Sequence, residues 1–172
     1  MSVPGRVAQV RFEDVGIGDA LPTLEKGPLT LVHLVRWAAA IENWHRIHYD
    51  RAFAVEHDAL PDALVHGTLK QQFILQLLKD WAGLEGWAWK VRYQFRAMDT
   101  VGSVLQVWAR VARKLPADGY GLVELELGMR GDGTRESARG SALVALPFRD
   151  GPPVPYPFVA PAADPWAAAS PG

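Results

Sequence analysis

The stretch Leu64–Phe95, LVHGTLKQQFILQLLKDWAGLEGWAWKVRYQF, holds the change of periodicity that decides the fold. In its first half Leu69, Phe73, Ile74, Leu77, Leu78 and Trp81 recur at helical spacing as one apolar stripe. Gly83 is placed to stop that helix, because glycine readily takes the backbone conformation found just past a helix end. The pattern then shortens to every second residue. Trp87, Trp89, Val91, Tyr93 and Phe95 are apolar while Lys90, Arg92, Gln94 and Arg96 are polar, which predicts a half-buried strand.

Downstream the alternation continues. Leu105, Val107, Ala109 and Val111 repeat it after a turn near Gly102, and Pro116-Ala117-Asp118-Gly119 reads as a hairpin turn into Val123, Leu125, Leu127 and Met129. Gly131-Asp132-Gly133 turns into a last strand from about Ser137 to Phe148. Upstream, Leu31, Val32, Leu34, Val35, Ala38 and Ile41 recur at helical spacing behind Thr30, a fitting N-cap. A loop from about Asn43 to His66 separates the two helices and is too long to be mere connection. Helices first and strands in succession afterwards predict an α+β fold, an antiparallel sheet wrapped around a helix.

The ends differ from this body. Gly151–Gly172 carries seven of the chain's 13 prolines, which excludes helix and central strand. It reads as a Pro/Ala-rich tail (151–172) beyond one domain (6–150), either flexible or docked through Tyr156, Phe158 and Trp166. Met1–Gly5 is expected to fray.

Composition narrows the function classes. With 172 residues and 49% hydrophobic content the chain can bury one sizeable core. A formal net charge of −1 gives no footprint for non-specific nucleic-acid binding. No apolar run approaches the roughly 18 residues of a membrane span, and no charged-then-apolar leader is visible. The absence of cysteine excludes disulfides, thiolate nucleophiles and Cys-based metal sites, and fits a cytoplasmic protein. Seven Trp imply large flat surfaces in a core, an interface or a pocket.

The chemistry concentrates in the long loop. Three of the five histidines lie in Asn43-Trp44-His45-Arg46-Ile47-His48-Tyr49-Asp50 and in Leu64-Val65-His66-Gly67. Histidine can both take and give a proton near neutrality. His33 and His57 read as surface residues, and His45 reads equally as a loop hydrogen-bonder or a functional group. His45 and His48 with Asp50 have the types for zinc, but no second cluster supplies a fourth ligand, so no metal is expected. Gly67, at the start of a helix, offers an amide at a positive helix end.

Those two segments, Asn43-x-His45-Arg46-Ile47-His48-Tyr49-Asp50 and Leu64-Val65-His66-Gly67, resemble the MaoC-like hot-dog hydratases and dehydratases. The resemblance covers roughly Val10 to Phe148 and is closest to the branch holding type 2 3-hydroxyacyl-thioester dehydratases and mesaconyl-CoA hydratases. It implies a hot-dog fold, an antiparallel sheet around a long central helix, working as a homodimer or higher homo-oligomer with the acyl tunnel between units. It implies addition or removal of water at the 2,3 double bond of an acyl-CoA thioester, usually giving an (R)-3-hydroxy product, with no cofactor. By position, His48 matches the catalytic histidine, and Gly67 the residue whose N–H holds the thioester oxygen. Asn43 stands where the common motif has an acid; an amide orients water but cannot take its proton, so proton transfer falls to His48. His66, Tyr49, Trp44 and Asp50 are carried along as substrate-side residues, Asp50 reading more as a loop cap, and Tyr49 and Trp44 equally as packing.

Three other readings stay open. Asn43 fits a non-catalytic hot-dog subunit of a heteromer. A thioesterase shares the fold but needs a carboxylate facing the thioester, and the central helix offers only Asp80, at its far end. A pure acyl-CoA binding module is the remainder. Arg92, Arg96, Arg110, Arg113 and Lys114 are the cations available to CoA phosphates.

Overall fold

The apolar stripe forms one long helix, and the sheet closes on it. The computed structural model describes residues 9–131 and 134–167, so the fraying expected at Met1–Gly5 and the centre of the turn at Asp132-Gly133 lie outside the described residues. In chain order the elements are β1 (Leu24–Lys26), α1 (Leu31–Ile41), α2 (Arg51–Glu56), α3 (Gly67–Ala82), β2 (Trp87–Phe95), β3 (Leu105–Pro116), β4 (Gly121–Gly131) and β5 (Arg135–Leu146). The strands form one sheet in the order β1-β3-β4-β5-β2, with every neighbouring pair antiparallel. This is the α+β arrangement anticipated from the periodicity. β1 was not anticipated, because three residues are too few to show an alternation.

The core lies between α3 and one face of the sheet. Leu69, Ile74, Leu77 and Leu78 of the helix meet Leu105 and Val107 of β3, Leu125 and Leu127 of β4, and Ala142 and Val144 of β5. Ile74 and Leu78 are wholly buried, and truncating either to Ala is expected to cost about 2–5 kcal/mol through lost transfer energy and the cavity left behind. Gly83, at φ +70, caps the helix as expected, its N–H donating to the Lys79 carbonyl.

Two expectations need correction, and one helix shows a face the spacing left open. The Asn43–His66 segment is not a plain loop: it holds a 3-10 turn at Arg46–His48 and the short helix α2. β2 carries a bulge between Ala88 and Lys90, which breaks the alternation. Ala88, Val91 and Tyr93 therefore join the main core, whereas Trp87 and Trp89 lie against Phe158 of the C-terminal tail, ring centroids 6.0 and 5.6 Å apart. Finally, α1 uses only Leu34 and Ala38 of its apolar set for burial; Leu31, Val32, Val35 and Ile41 stay exposed.

The described part of the tail, residues 151–167, runs over the outer face of the sheet. Val154 donates its N–H to Glu85, Tyr120 donates its hydroxyl to the Val159 carbonyl, and Trp166 Nε1 donates to Glu124. Phe158 and Val154 complete a second apolar cluster with Tyr120, Leu122 and Ala145. Proline-rich chain serves here as an extended strap, since it needs few backbone partners of its own. No helix among the described residues is long and apolar enough to cross a membrane.

Candidate active site

The N-terminal end of α3 gathers most of the residues singled out from sequence. α1 starts with its Thr30 N–H donating to His33 Nδ1, which gives that histidine a capping role. Its end turns at Glu42, φ +52, and delivers Asn43 into the loop. There the Asn43 side-chain oxygen accepts the His45 N–H at 3.3 Å, and His45 Nδ1 accepts the Ile47 N–H at 3.4 Å, starting the 3-10 turn that ends on His48. Asp50 caps α2 through the Phe53 N–H at 3.0 Å and pairs with Arg46 at 2.6 Å. Those contacts hold its carboxyl below the usual range, the Phe53 N–H contributing most. Asp50 thus shapes the loop.

His48 is the best-held of these side chains. It is buried, and its Nδ1 donates to the Leu64 carbonyl at 2.8 Å. A carbonyl can only accept, so Nδ1 carries the proton and the neutral ring keeps its lone pair on Nε2. Burial pushes the His48 pKa below its ordinary value, the Leu64 carbonyl opposes this, and nearby His45 adds to it. A neutral imidazole with a defined free nitrogen is what a general base requires.

His66 lies face to face with His48, ring centroids 3.6 Å apart and planes 18° from parallel. Only 1% of it is exposed, and neither ring nitrogen has a hydrogen-bond partner among the described residues. The Asn43 carbonyl still draws its pKa slightly upward, without hydrogen-bond geometry. Burial first, and His48 second, push the His66 pKa down to about 4, so both rings are neutral at pH 7.

Gly67 follows immediately as the first residue of α3, which sets His48 beside the helix end. Its N–H has no acceptor among the described residues, as first-turn amides lack intrahelical partners, and the helix dipole makes that end positive. A Cβ at Gly67 would lie 2.8 Å from the Phe95 ring, so this glycine admits a close aromatic neighbour. Trp37 Nε1 donates to Thr68 Oγ1 at 2.9 Å and fastens α1 to the same turn.

The outer residues are less enclosed. Trp44 is exposed; Tyr49 packs edge-on to it at 6.2 Å and donates its hydroxyl to the Trp44 carbonyl. His57 stacks on Phe53 and contacts Asp58, away from this cluster. Among the described residues no group of three metal-ligating side chains comes together. Asp80 lines a groove of about 970 Å³ at the other end of α3, with Lys79, Leu84, Trp87 and Tyr156. Of the cations considered for phosphates, Arg110 and Arg113 pair with Glu126 and Glu124, while Lys114 lies over Phe12 and Arg92 over Trp166.

Sequence reasoning missed the support beneath this end. Lys70, on the buried face of α3, reaches Asp99 at 2.6 Å, with both side chains almost fully buried. The signal was present: Lys70 falls in the apolar stripe at i, i+4, i+7 with Ile74 and Leu77, where a lysine needs a buried partner.

Comparison with known proteins agrees with this picture. Residues 21–102 match a family model described as hydroxyacyl-thioester dehydratase type 2, a span that holds Asn43, His48, His66 and Gly67. Among solved structures, the unliganded R-hydratase PhaJ1 from Pseudomonas aeruginosa is 18% identical, with 82% of this chain and 88% of that one covered at a TM-score of 0.73. The (R)-hydratase from A. caviae involved in PHA biosynthesis is 24% identical, covering 78% and 99% at 0.68. A Mycobacterium tuberculosis protein with a double hot-dog fold is 20% identical, covering 92% of this chain but 54% of that one at 0.66. No curated protein sequence matches the chain. The fold is the hot dog.

Proposed function

We propose that this chain, a hot-dog protein carrying the type 2 hydroxyacyl-thioester dehydratase signature over residues 21–102, adds water to or removes it from the 2,3 double bond of an enoyl-CoA thioester. The observation that carries the reading is a neutral histidine, its tautomer fixed by Leu64, beside the unpaired amide that opens α3. In this reading the Gly67 N–H holds the thioester carbonyl oxygen and stabilises the negative charge that develops there. His48 Nε2 takes a proton from a water oriented by Asn43 as the oxygen of that water bonds to C3. The double bond shifts to an enolate, and the imidazolium returns a proton to C2, giving a 3-hydroxyacyl thioester of (R) configuration. Dehydration is the same sequence reversed.

The remaining residues take supporting roles. His66 backs His48 and excludes a second positive charge, Tyr49 and Trp44 form the outer wall, and Asp50 keeps the loop in shape. No step needs a metal or redox cofactor. The working unit is a homo-oligomer, because β1 and β2 are open sheet edges and α1 presents Leu31, Val32 and Val35 outward. A cytoplasmic location suits a cysteine-free chain acting on CoA thioesters.

One observation favours a second reading. Asn43 spends its side-chain oxygen on the His45 N–H and has no carboxylate to share the proton, as suits a non-catalytic subunit that pairs with an active one. Purified chain alone, assayed against enoyl-CoA thioesters of increasing length by loss of conjugated-thioester absorbance, separates the two. Turnover supports the hydratase; none across the panel, from a folded protein, overturns it in favour of the subunit.

A further inference from the structure

Behind Gly67 lies a set of charged groups that the proposed reaction does not touch. Asp99, with no side-chain exposure, sits on the connection between β2 and β3 and accepts from three donors: Lys70 Nζ at 2.6 Å, Arg135 Nη2 at 2.6 Å, and the Ser137 hydroxyl. Lys70 Nζ also donates to the carbonyls of Ala97 at 3.0 Å and Ser137 at 3.3 Å. Room for the carboxylate is made by Gly131, where a Cβ would lie 2.5 Å from Asp99 Oδ1. A buried charge this fully bonded is costly to assemble and, against apolar residues of the same volume, often adds no net stability.

The network connects to the reacting end of α3 on two sides. The Asp99 carbonyl accepts the Val65 N–H at 2.8 Å, holding the strand of chain that leads into His66 and Gly67. Lys70 Nζ lies 4.9 Å from the centre of the Phe95 ring, the ring that rests on Gly67. Lys70 is one helical turn past Gly67, so one ammonium group fixes both the floor and the aromatic cover of that amide.

We infer that Lys70 and Asp99 are positioning residues that aim the Gly67 amide at the thioester oxygen; the inference rests on the hydratase reading. An oxyanion donor acts only if it already points at the place where charge develops, and small displacements weaken it steeply. The ion pair sets that direction from two elements at once, α3 and the β2–β3 connection.

Lys70→Met tests this, since Asp99 keeps Arg135 and Ser137 as partners. With a short enoyl-CoA, kcat is expected to fall about ten- to a hundredfold while KM stays near the parent value. Lys70→Arg, which keeps the charge and the donors, is expected to restore most of it. Lys70→Met/Asp99→Asn, with both charges gone, guards against a folding failure and is expected to show the same loss of kcat with a parent-like melting curve. Parent kcat in a folded Lys70→Met or double variant overturns the inference. Amide hydrogen exchange at Val65 supplies a readout free of activity. If the parent enzyme turns over no enoyl-CoA, the hydratase reading fails by itself; faster exchange confined to the Val65–Gly67 turn in the variants then still upholds the positioning role, and unchanged exchange overturns it.

Discussion

The two ends of α3 are opposites. At the N-terminal end, two stacked histidines, an unpaired amide and a buried ion pair crowd together; His48 and Lys70 are tied to backbone carbonyls, while the His66 ring nitrogens find no partner among the described residues. The C-terminal end borders a groove of about 970 Å³ lined by exposed groups such as Lys79, Asp80 and Leu84. Volume and chemistry are thus separated along one helix about 24 Å long, at 1.5 Å per residue. Burying polar groups is expensive unless each is satisfied, so the end that bears this cost is the stronger candidate for a function, and open space alone identifies nothing.

The sharpest way to break this contrast is His48→Ala. Hydration turnover should fall roughly 10²–10⁴-fold, the usual loss on removing a general acid–base group, in a variant whose circular dichroism matches the parent. Near-parent turnover would remove His48 as the base. In the parent the rate should hold steady through neutral pH and drop only below pH 6.5, because burial depresses the His48 pKa and protonation occupies the lone pair.

Stability should report the same end. His66 titrates near 6.5 when unfolded and at about 4 when folded, so between those values the unfolded chain binds the extra proton. Its contribution is complete above pH 6.5 and is lost as the pH falls through 4, on the order of 3 kcal/mol in all. Urea unfolding at pH 7 and pH 4.5 measures this, and His66→Phe should flatten the dependence. An equally steep dependence in His66→Phe would place its origin elsewhere.

A smaller effect is expected at Asn43. On the hydratase reading Asn43→Ala removes one hydrogen bond to the attacking water from a half-buried position, worth about 1–3 kcal/mol, or roughly one to two decades in kcat at saturating substrate. The pH profile should keep its shape. Parent-like kcat would end the water-positioning role and turn attention to Glu42 or Asp50. Asp80→Asn, at the opposite end, should change turnover by no more than about twofold, as for other exposed positions. A large loss there would revive the thioesterase reading and undo the contrast between the ends.

Much of this was legible beforehand, and what was not has physical causes. The stripe from Leu69 to Trp81 and the later alternations predicted α3 and its sheet, because burial on one face leaves a period in the sequence. The pair of segments around His48 and Gly67 singled out the candidate site, and the structure brings the two together at the start of α3. Trp87 and Trp89 were placed on the wrong side because a bulge inserts one residue without any mark in the pattern. The helical spacing of α1 was legible, but not that its apolar surface is wider than its contact with this chain. The Lys70–Asp99 pair spans 29 positions, and nothing local in either segment announces the other.

By itself, then, the sequence determined the long helix α3, the strands β2 to β5, the capping at Thr30 and Gly83, and the residue types available for proton transfer, all set by interactions among near neighbours. Only the tertiary structure decided that His48 stacks on His66, that its Nδ1 is spent on Leu64, that Phe95 covers Gly67, and that the tail straps the outer sheet face. Those contacts join segments distant along the chain, and their geometry follows from how α3 packs into the sheet and from the need to satisfy each polar group that packing buries.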